Sequence, residues 1–400
     1  MGEWELKPLG DLCDVVGGGT PPKDTPEYYG GDIPWATVRD MRSDVIHSTE
    51  FKITNAAVTA SSTNVIPAGN VVIATRVGLG KVCFVDQPTA INQDLRGIIP
   101  RNSQQLTVRY LYWWLKSVAH VIQQEGTGAT VQGVKLPFVK SLGIPVCSID
   151  EQHRIVAILD EAFEAIATAK ANTEKNLRNA RELSSSALSM CFSGGGIGWT
   201  GTTLGEVGKV RMCKRVFKEE TSTTGDVPFY KIGTFGGEPD AFISRVMYDD
   251  LRSRYSFPST GSILVSAAGT IGRRVKYDGE PAYFQDSNIV WIENDETLVL
   301  NEYLYHFYGA CDWNSTIGAT ISRLYNDDLR RIKISFPDSI DEQRRIVAKL
   351  NSLSSEFQVV EELGKVKLAA LDELKQSLLH QAFSGQLTAR LADRTVAADV

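Results

Sequence analysis

The sequence predicts an α+β chain in which two mixed α/β domains are separated by two long antiparallel coiled-coil helices, arranged with pseudo-twofold symmetry. Three observations predict it. The stretch SIDEQHRIVAIL at 148–159 returns as SIDEQRRIVAKL at 339–350, and the same offset of 191 residues joins Phe192-Ser193-Gly194 to Phe383-Ser384-Gly385. Between those ends, apolar residues recur at steps of three and four, as in a coiled-coil seam. Ahead of each helix lies a stretch of short β-like runs with Gly and Pro turn signals and one aromatic helix.

Taken in order, each globule opens on a Trp, Leu and Gly frame, WELKPLG at 4–10 and WTGTTLG at 199–205. Gly31-Asp32-Ile33-Pro34-Trp35 then matches Gly225-Asp226-Val227-Pro228-Phe229, a turn entering a strand with an aromatic residue. Pro67-Ala68-Gly69 with Val71-Val72-Ile73 matches Pro258-Ser259-Thr260-Gly261 with Ile263-Leu264-Val265, a turn followed by a buried strand. Gly78-Leu79-Gly80-Lys81 aligns with Thr270-Ile271-Gly272-Arg273, and Asn92-Gln93-Asp94 with Phe284-Gln285-Asp286, as inter-strand loops of the kind that carry function. The aromatic helices, YLYWWL at 110–115 and YLYHFY at 303–308, read as core packing rather than base stacking. Each globule closes through Gly128-Ala129-Thr130 or Gly318-Ala319-Thr320 and a last strand.

Each long helix carries its own start and stop. Ser148 with Glu151, and Ser339 with Glu342, have capping-box spacing, and Gly194 and Gly385 supply C-terminal stops. The pairing seam is expected at Ile155, Leu159, Ile166 and Leu183 in the first helix, and at Ile346, Leu350, Phe357, Leu371, Leu374 and Leu378 in the second, which also brings Gly364 and Lys367 into the seam. Small positions facing large ones suggest that the helices pack on each other, each roughly 70 Å long at about 1.5 Å per residue. The expected map is domain 1 at 1–147, helix 1 at 148–194, domain 2 at 195–338, helix 2 at 339–386 and a tail at 387–400, with Gly194-Gly195-Gly196 and Gly198 as the hinge.

Composition narrows the function. Six scattered cysteines form no CxxC pair, which argues against a zinc site or a disulfide framework and for a reducing, cytoplasmic setting. No run of eighteen apolar residues is present, so no membrane partner is expected. A net charge of −6 means that any nucleic acid is held by local patches. Catalytic signatures are missing. Gly80-Lys81 is followed by Val82, which is no P-loop; Gly17-Gly18-Gly19 does not fit a dinucleotide fingerprint; the five histidines have no ligand spacing. The only Pro-Pro, Pro21-Pro22, follows Thr20 and not the Asn or Asp that an amino methyltransferase needs. Binding therefore outranks catalysis.

The paired EQ-R-I-V helices ending in FSG, with Gly19-Thr20-Pro21 in the first globule, resemble the specificity subunit of type I restriction-modification systems over nearly the whole chain. The resemblance implies a non-catalytic subunit whose globules are target-recognition domains, like those of N6-adenine methyltransferases, each reading half of a bipartite double-stranded DNA target. It implies helices that set the spacer and dock two methyltransferase subunits, which nuclease or translocase subunits join. S-adenosylmethionine and ATP belong to those partners, and this chain binds no cofactor. The second globule departs from the family pattern, with Cys213-Lys214-Arg215-Val216 where 18–21 stand in the first.

Base edges and phosphates are read by Arg, Lys, Asn and Gln. The expected DNA-binding set is Lys23, Arg39, Arg76, Lys81, Gln93 and Lys135 in the first globule, and Lys214, Arg215, Lys218, Lys231, Arg273, Arg274 and Arg323 in the second. The alternatives are a coiled-coil scaffold that binds proteins without DNA preference, and an enzyme with an unrecognised site.

Overall fold

A computed structural model of the chain describes residues 4–126, 133–193, 197–311, 313 and 323–389. The closing segments Gly128-Ala129-Thr130 and Gly318-Ala319-Thr320, and the hinge glycines 194–196, lie outside the described residues. Two compact units emerge, Met1–Thr173 with Val366–Val400, and Glu174–Lys365. Each unit holds one globule, the start of the helix that follows that globule, and the end of the other long helix.

The same layering builds both globules. In the first, strands Cys13–Gly17, Leu95–Pro100, Val71–Ala74, Val82–Val85 and Val45–Ile46 form a five-stranded sheet. Its central strand, Val71–Ala74, is buried at every position because both faces are covered. Side chains alternate along a strand: Val71 and Ile73 meet the aromatic helix Val108–Ser117, whereas Val72 and Ala74 meet Ala36, Ile66 and Ile91 of a second, four-stranded sheet. The second globule repeats this with strand Ile263–Ser266. Ile263 and Val265 face the helix Asn301–Ala310, and Leu264 faces the cluster around Phe229 and Tyr283. The aromatic helices are core, as expected: Tyr110, Trp114, Tyr303 and Tyr308 are all 2% exposed or less.

The repeated frames have repeated roles. Glu5–Pro8 pairs with Gly143–Val146, and Trp199–Thr203 with Lys333–Pro337, both antiparallel. Gly69 and Gly261 turn at φ +77° and +88°, and Gly80 and Gly272 at +80° and +84°, a conformation open to glycine. One aligned pair of loops differs from its expected register. Parallel pairing sets Ile91 against Ala36 and Phe284 against Tyr230, so Asn92 corresponds to Gln285, one residue later than the sequence match. The second loop carries an extra residue, accommodated by Ser287 at φ 54°.

The long helices run Ile149–Phe192 and Ile340–Phe383, 44 residues each. Glu151 and Glu342 donate their backbone N–H to Ser148 and Ser339 Oγ at 3.4 Å, the expected N-caps. Their carboxylates turn instead to Arg154 at 2.8 Å and Arg345 at 2.9 Å. Gly385 ends the second helix at φ +77°. Within each unit the helix segments run antiparallel. In the first, Lys375 lies over the Phe163 ring and Lys170 pairs with Asp372 at 2.6 Å; in the second, Leu177 packs on Gly364 and Arg181 pairs with Glu361 at 2.5 Å.

The expected seam residues divide. Ile155 and Leu159 are fully buried in the first unit's core, beside Leu379 and Ala382 of the second helix. Ile166 and Leu350 are buried, Ile346, Phe357, Leu371 and Leu378 half-buried. Leu183 and Leu374 stand 67% and 46% exposed, off the contact. Each lies 28 residues beyond the first seam residue of its helix. A straight helix drifts about 20° per heptad from a 3.5-residue repeat, or roughly 80° by that point. Among the described residues, no helix is long and apolar enough to cross a membrane.

A buried glutamine ties each helix to its globule. Gln152 donates from Nε2 to the Gln105 and Cys147 carbonyls at 2.8 and 3.1 Å, and its Oε1 accepts the Thr107 N–H at 2.9 Å. Gln343 does the same with the Leu298 and Pro337 carbonyls, both at 2.8 Å, and the Leu300 N–H at 2.9 Å. Both glutamines are 0% exposed. Each holds the start of the aromatic helix, the end of the last strand and the long helix together. One turn or two further on, the two units use different chemistry at matched positions. Trp113 Nε1 donates to Asp160 at 2.8 Å in the first, and His306 Nε2 meets Asn351 Oδ1 at 2.8 Å in the second.

Substituting Gln152 or Gln343 with Ala removes three bonds and strands buried backbone groups, so each variant should lose about 2–4 kcal/mol in its own unit, whereas His153→Ala, exposed next door, should stay within about 0.5 kcal/mol; denaturant unfolding measures both. Burial, reinforced by Arg274 and opposed by the Asn351 bond and Glu302, lowers the pKa of His306 below its ordinary value of 6.5. The neutral form is favoured by folding, so this contribution is present above that pH and is lost as pH falls below it. Melting curves should show a smaller acid loss for His306→Gln than for the parent between pH 7 and 5.

Candidate nucleic-acid interface

In the first globule, the segment after the strand Cys13–Gly17 is drawn against the loop at 92–94. Gly18 and Gly19 have no side chains because none would fit. A Cβ on Gly18 would lie 2.0 Å from the Asn92 carbonyl oxygen, and one on Gly19 2.3 Å from Ser62 Oγ. Trp35 Nε1 donates to the Gly19 carbonyl at 3.1 Å, and the next residue, Thr20, donates its hydroxyl to Gln93 Oε1. These elements floor a concavity of about 730 Å³ lined by Lys23, Arg39 and Gln93 with the aromatic residues Tyr29, Trp35 and Phe51. Trp35 meets Tyr29 and Phe51 edge-on at 6.3 Å. Cationic rims on an aromatic floor suit phosphates and base edges.

Three of the six expected residues thus share one surface. Arg39 lies 3.7 Å from Glu50 with its side chain 75% exposed, so the guanidinium is free to exchange partners. Arg76 is at the same edge, 3.9 Å from Asp94. Lys135 caps the helix Leu136–Ser141 one residue after Val134, whose N–H donates to Thr75. Lys81 donates to the Met41 carbonyl at 3.4 Å and does not line the concavity.

In the second globule the same two loops meet through charge. Arg215 donates from Nε and Nη2 to Asp286 Oδ2, each at 2.8 Å. This pairing raises the Arg215 pKa. Tyr283 Oη donates to the Lys214 carbonyl at 3.0 Å, so the carbonyl matched to that of Gly19 is again held by an aromatic side chain, here from the neighbouring strand. Lys214 lies over the Tyr255 ring at 5.1 Å, and Arg323 donates to the Ser287 carbonyl at 3.3 Å, so Lys214, Arg215 and Arg323 gather at one loop. Arg273 spends one Nη1 bond on the Phe235 carbonyl at 2.8 Å, Lys231 pairs with Asp240 at 2.8 Å, and Lys218 stands exposed on the short turn Lys218–Glu220.

Arg274 does not join them. It follows Arg273 on the strand Arg274–Lys276 and so faces the other way, onto the helix Asn301–Ala310, with its guanidinium 4.5 Å from the Tyr305 ring. Gly309 makes the room, since a Cβ there would lie 2.1 Å from Nη1. A strand placed by turn signals alone does not reveal which of two adjacent arginines faces the loops. Thr20 and Asp286 lie outside the expected set because neither carries a positive charge, the signal that points to phosphates, and each enters only through the partner it bonds.

Burial pushes the Cys13 and Cys213 thiols up to about 12, which keeps them protonated. No cluster of His, Cys, Asp and Glu among the described residues could hold a metal ion.

Comparison with known proteins gives a consistent picture. A family model described as type I restriction modification DNA specificity domain matches twice, at residues 1–177 and 196–366. A putative type I restriction enzyme specificity subunit of Haemophilus influenzae is 37% identical over 371 residues, 88% of each chain. A specificity subunit of Escherichia coli is 38% identical over 167 residues, 40% of this chain and 41% of its own. Among solved structures, a chain from work on complex assembly and conformational transition of the type I R-M system covers 97% of this chain and 99% of its own, with a TM-score of 0.78 at 20% identity. The HsdS subunit from Thermoanaerobacter tengcongensis covers 96% and 97%, with a TM-score of 0.61 at 20% identity. At that identity, these two structures carry the fold alone.

Replacing Arg274 with Ala should lower the stability of the second unit by about 1–2 kcal/mol through lost stacking, while Lys231→Ala should change it by less than about 0.5 kcal/mol, as thermal unfolding of the two variants would show.

Proposed function

This chain belongs to the family of type I restriction-modification DNA specificity subunits, and from that premise we propose that each of its units reads one half of a bipartite double-stranded DNA target. One observation carries the reading: a shared scaffold with changed chemistry. The buried glutamine, the paired terminal strands and the aromatic helix are the same in both units. The loops that meet at Thr20 and Gln93 in one unit meet at Arg215 and Asp286 in the other. A scaffold that binds one protein twice would keep those surfaces alike.

The chain is a reader without catalysis of its own, and methyl transfer and cleavage belong to partner subunits, which carry S-adenosylmethionine and ATP. Each long helix spans about 66 Å at about 1.5 Å per residue, room enough to set apart two half-sites about one DNA turn, roughly 34 Å, from each other. The helices also offer docking surface to two methyltransferase subunits, with Val359 and Leu363 57% and 63% exposed on the second. With a net charge of −6, affinity depends on local cations and on what the partners add.

Selection of bound sequences from random DNA by the assembled methyltransferase complex tests this. Two short blocks with an unread gap are expected, and one continuous block would defeat the reading. Inserting four residues beside Thr173 should lengthen the gap and leave both blocks unchanged. The double variant Lys23→Ala/Arg39→Ala should weaken binding to all sequences and reduce the slope of log K against log salt by about 2.

A further inference from the structure

Two pairs of side chains occupy the same place in the two units. Thr20 and Arg215 each follow a residue whose carbonyl accepts a hydrogen bond from an aromatic side chain, Trp35 at 3.1 Å and Tyr283 at 3.0 Å. Gln93 and Asp286 each stand two residues beyond the strand that pairs in parallel with the first aromatic strand, after Ile91 and Phe284. The residue before each, Asn92 or Gln285, donates its N–H to the Ala36 or Tyr230 carbonyl, at 3.0 and 2.9 Å. In both units the paired side chains bond to each other across the two loops. The acceptor carbonyls and the loop starts are matched, while the aromatic donors come from neighbouring strands, Trp35 from the first and Tyr283 from its parallel partner, and the second loop is one residue longer.

Those groups have different faces to offer. Asp286 is the anchored partner, 16% exposed, and Arg215 the presented one, 58% exposed. Nε and one Nη2 hydrogen are occupied by the carboxylate, which leaves Nη1 and the second Nη2 hydrogen pointing outward as a fork. That fork matches the O6 and N7 acceptors of guanine in the major groove, and the carboxylate fixes its plane. In the first unit, the Thr20 hydroxyl orients the Gln93 carboxamide, whose Nε2 donors and remaining Oε1 lone pair match N7 and N6 of adenine. Arg39 and Lys23 line the same concavity, where cations suit phosphates and select no base.

We propose that this matched pair is a base-reading position in each unit, with Arg215, held by Asp286, reading a guanine in the second half-site and Gln93, held by Thr20, reading an adenine in the first. The assignment rests on the bipartite DNA reading above. Arg215 and Gln93 make the base contact; Asp286 and Thr20 are positioning residues.

The test is sequence selection by the assembled methyltransferase complex with parent and variant chains, alongside melting curves and subunit assembly as folding controls. Arg215→Lys keeps the charge and loses the fork. It should relax the preference for guanine at one position of one half-site by about 10- to 100-fold, with every other position and the other half-site unchanged. Asp286→Asn should relax the same position by less. Gln93→Glu should lose the adenine in the other half-site. The exchange Thr20→Arg/Gln93→Asp should convert that position to guanine. Variants that assemble and keep both half-sites intact would overturn the proposal, as would uniform weakening across all sequences, which marks a phosphate contact. A parent complex that selects no split sequence would instead sink the bipartite reading itself.

Discussion

The structure depends on one carboxamide in each half. Gln152 and Gln343 are wholly buried, and each satisfies a backbone N–H at the start of the aromatic helix, a carbonyl of the loop before it and a carbonyl of the last strand. Buried peptide groups left without partners are costly, so these three segments can end together only where a side chain with both donor and acceptor fits. Glutamine offers both, at the reach required, from the first turn of the long helix. This fixes where that helix leaves the globule. Trp113 with Asp160, and His306 with Asn351, then hold the aromatic helix against it further along.

Much of this was legible in the residues because the duplication runs through positions where backbone geometry is decided. The repeated SIDEQ and FSG ends marked helix boundaries that the structure places at Ile149, Ile340 and Phe383. The paired turns at Gly69 and Gly261 have the positive φ that their glycines permit. The aromatic runs proved to be core. Less legible was what each buried face touches. The three-four spacing of Ile155 and Leu159 identified a stripe, yet that stripe closes the globule's own core before it meets another helix. Leu183 and Leu374 followed the same spacing into solvent, because spacing alone does not say how far a straight helix has turned.

The candidate interface was legible in outline and not in detail. Lys23, Arg39 and Gln93 converge on one concavity, and Lys214, Arg215 and Arg323 on one loop. Arg274 shows the limit, since adjacent basic residues on a strand face opposite ways and one of them serves the core. The extra residue at Ser287 shows another: a repeat aligned by identity absorbs an insertion by shifting a neighbour, and only strand pairing reveals where the slack was taken up. Acidic and neutral side chains such as Asp286 and Thr20 become visible only through the partners they orient.

The uneven construction of the two units orders their assembly in time. The second unit is continuous, Glu174–Lys365, whereas the first is completed by Val366–Val400. A ribosome delivers chain from the N-terminus at about 5–20 residues per second, and domains close as soon as their parts are present. The first globule emerges early but must wait, with Ile155, Leu159 and Tyr110 short of Leu379, Ala382 and Phe383, until those residues leave the exit tunnel. The half that is made first is therefore the half that finishes last, and a chain cut between Lys365 and Leu379 would carry a finished second unit together with a first whose apolar face is still uncovered.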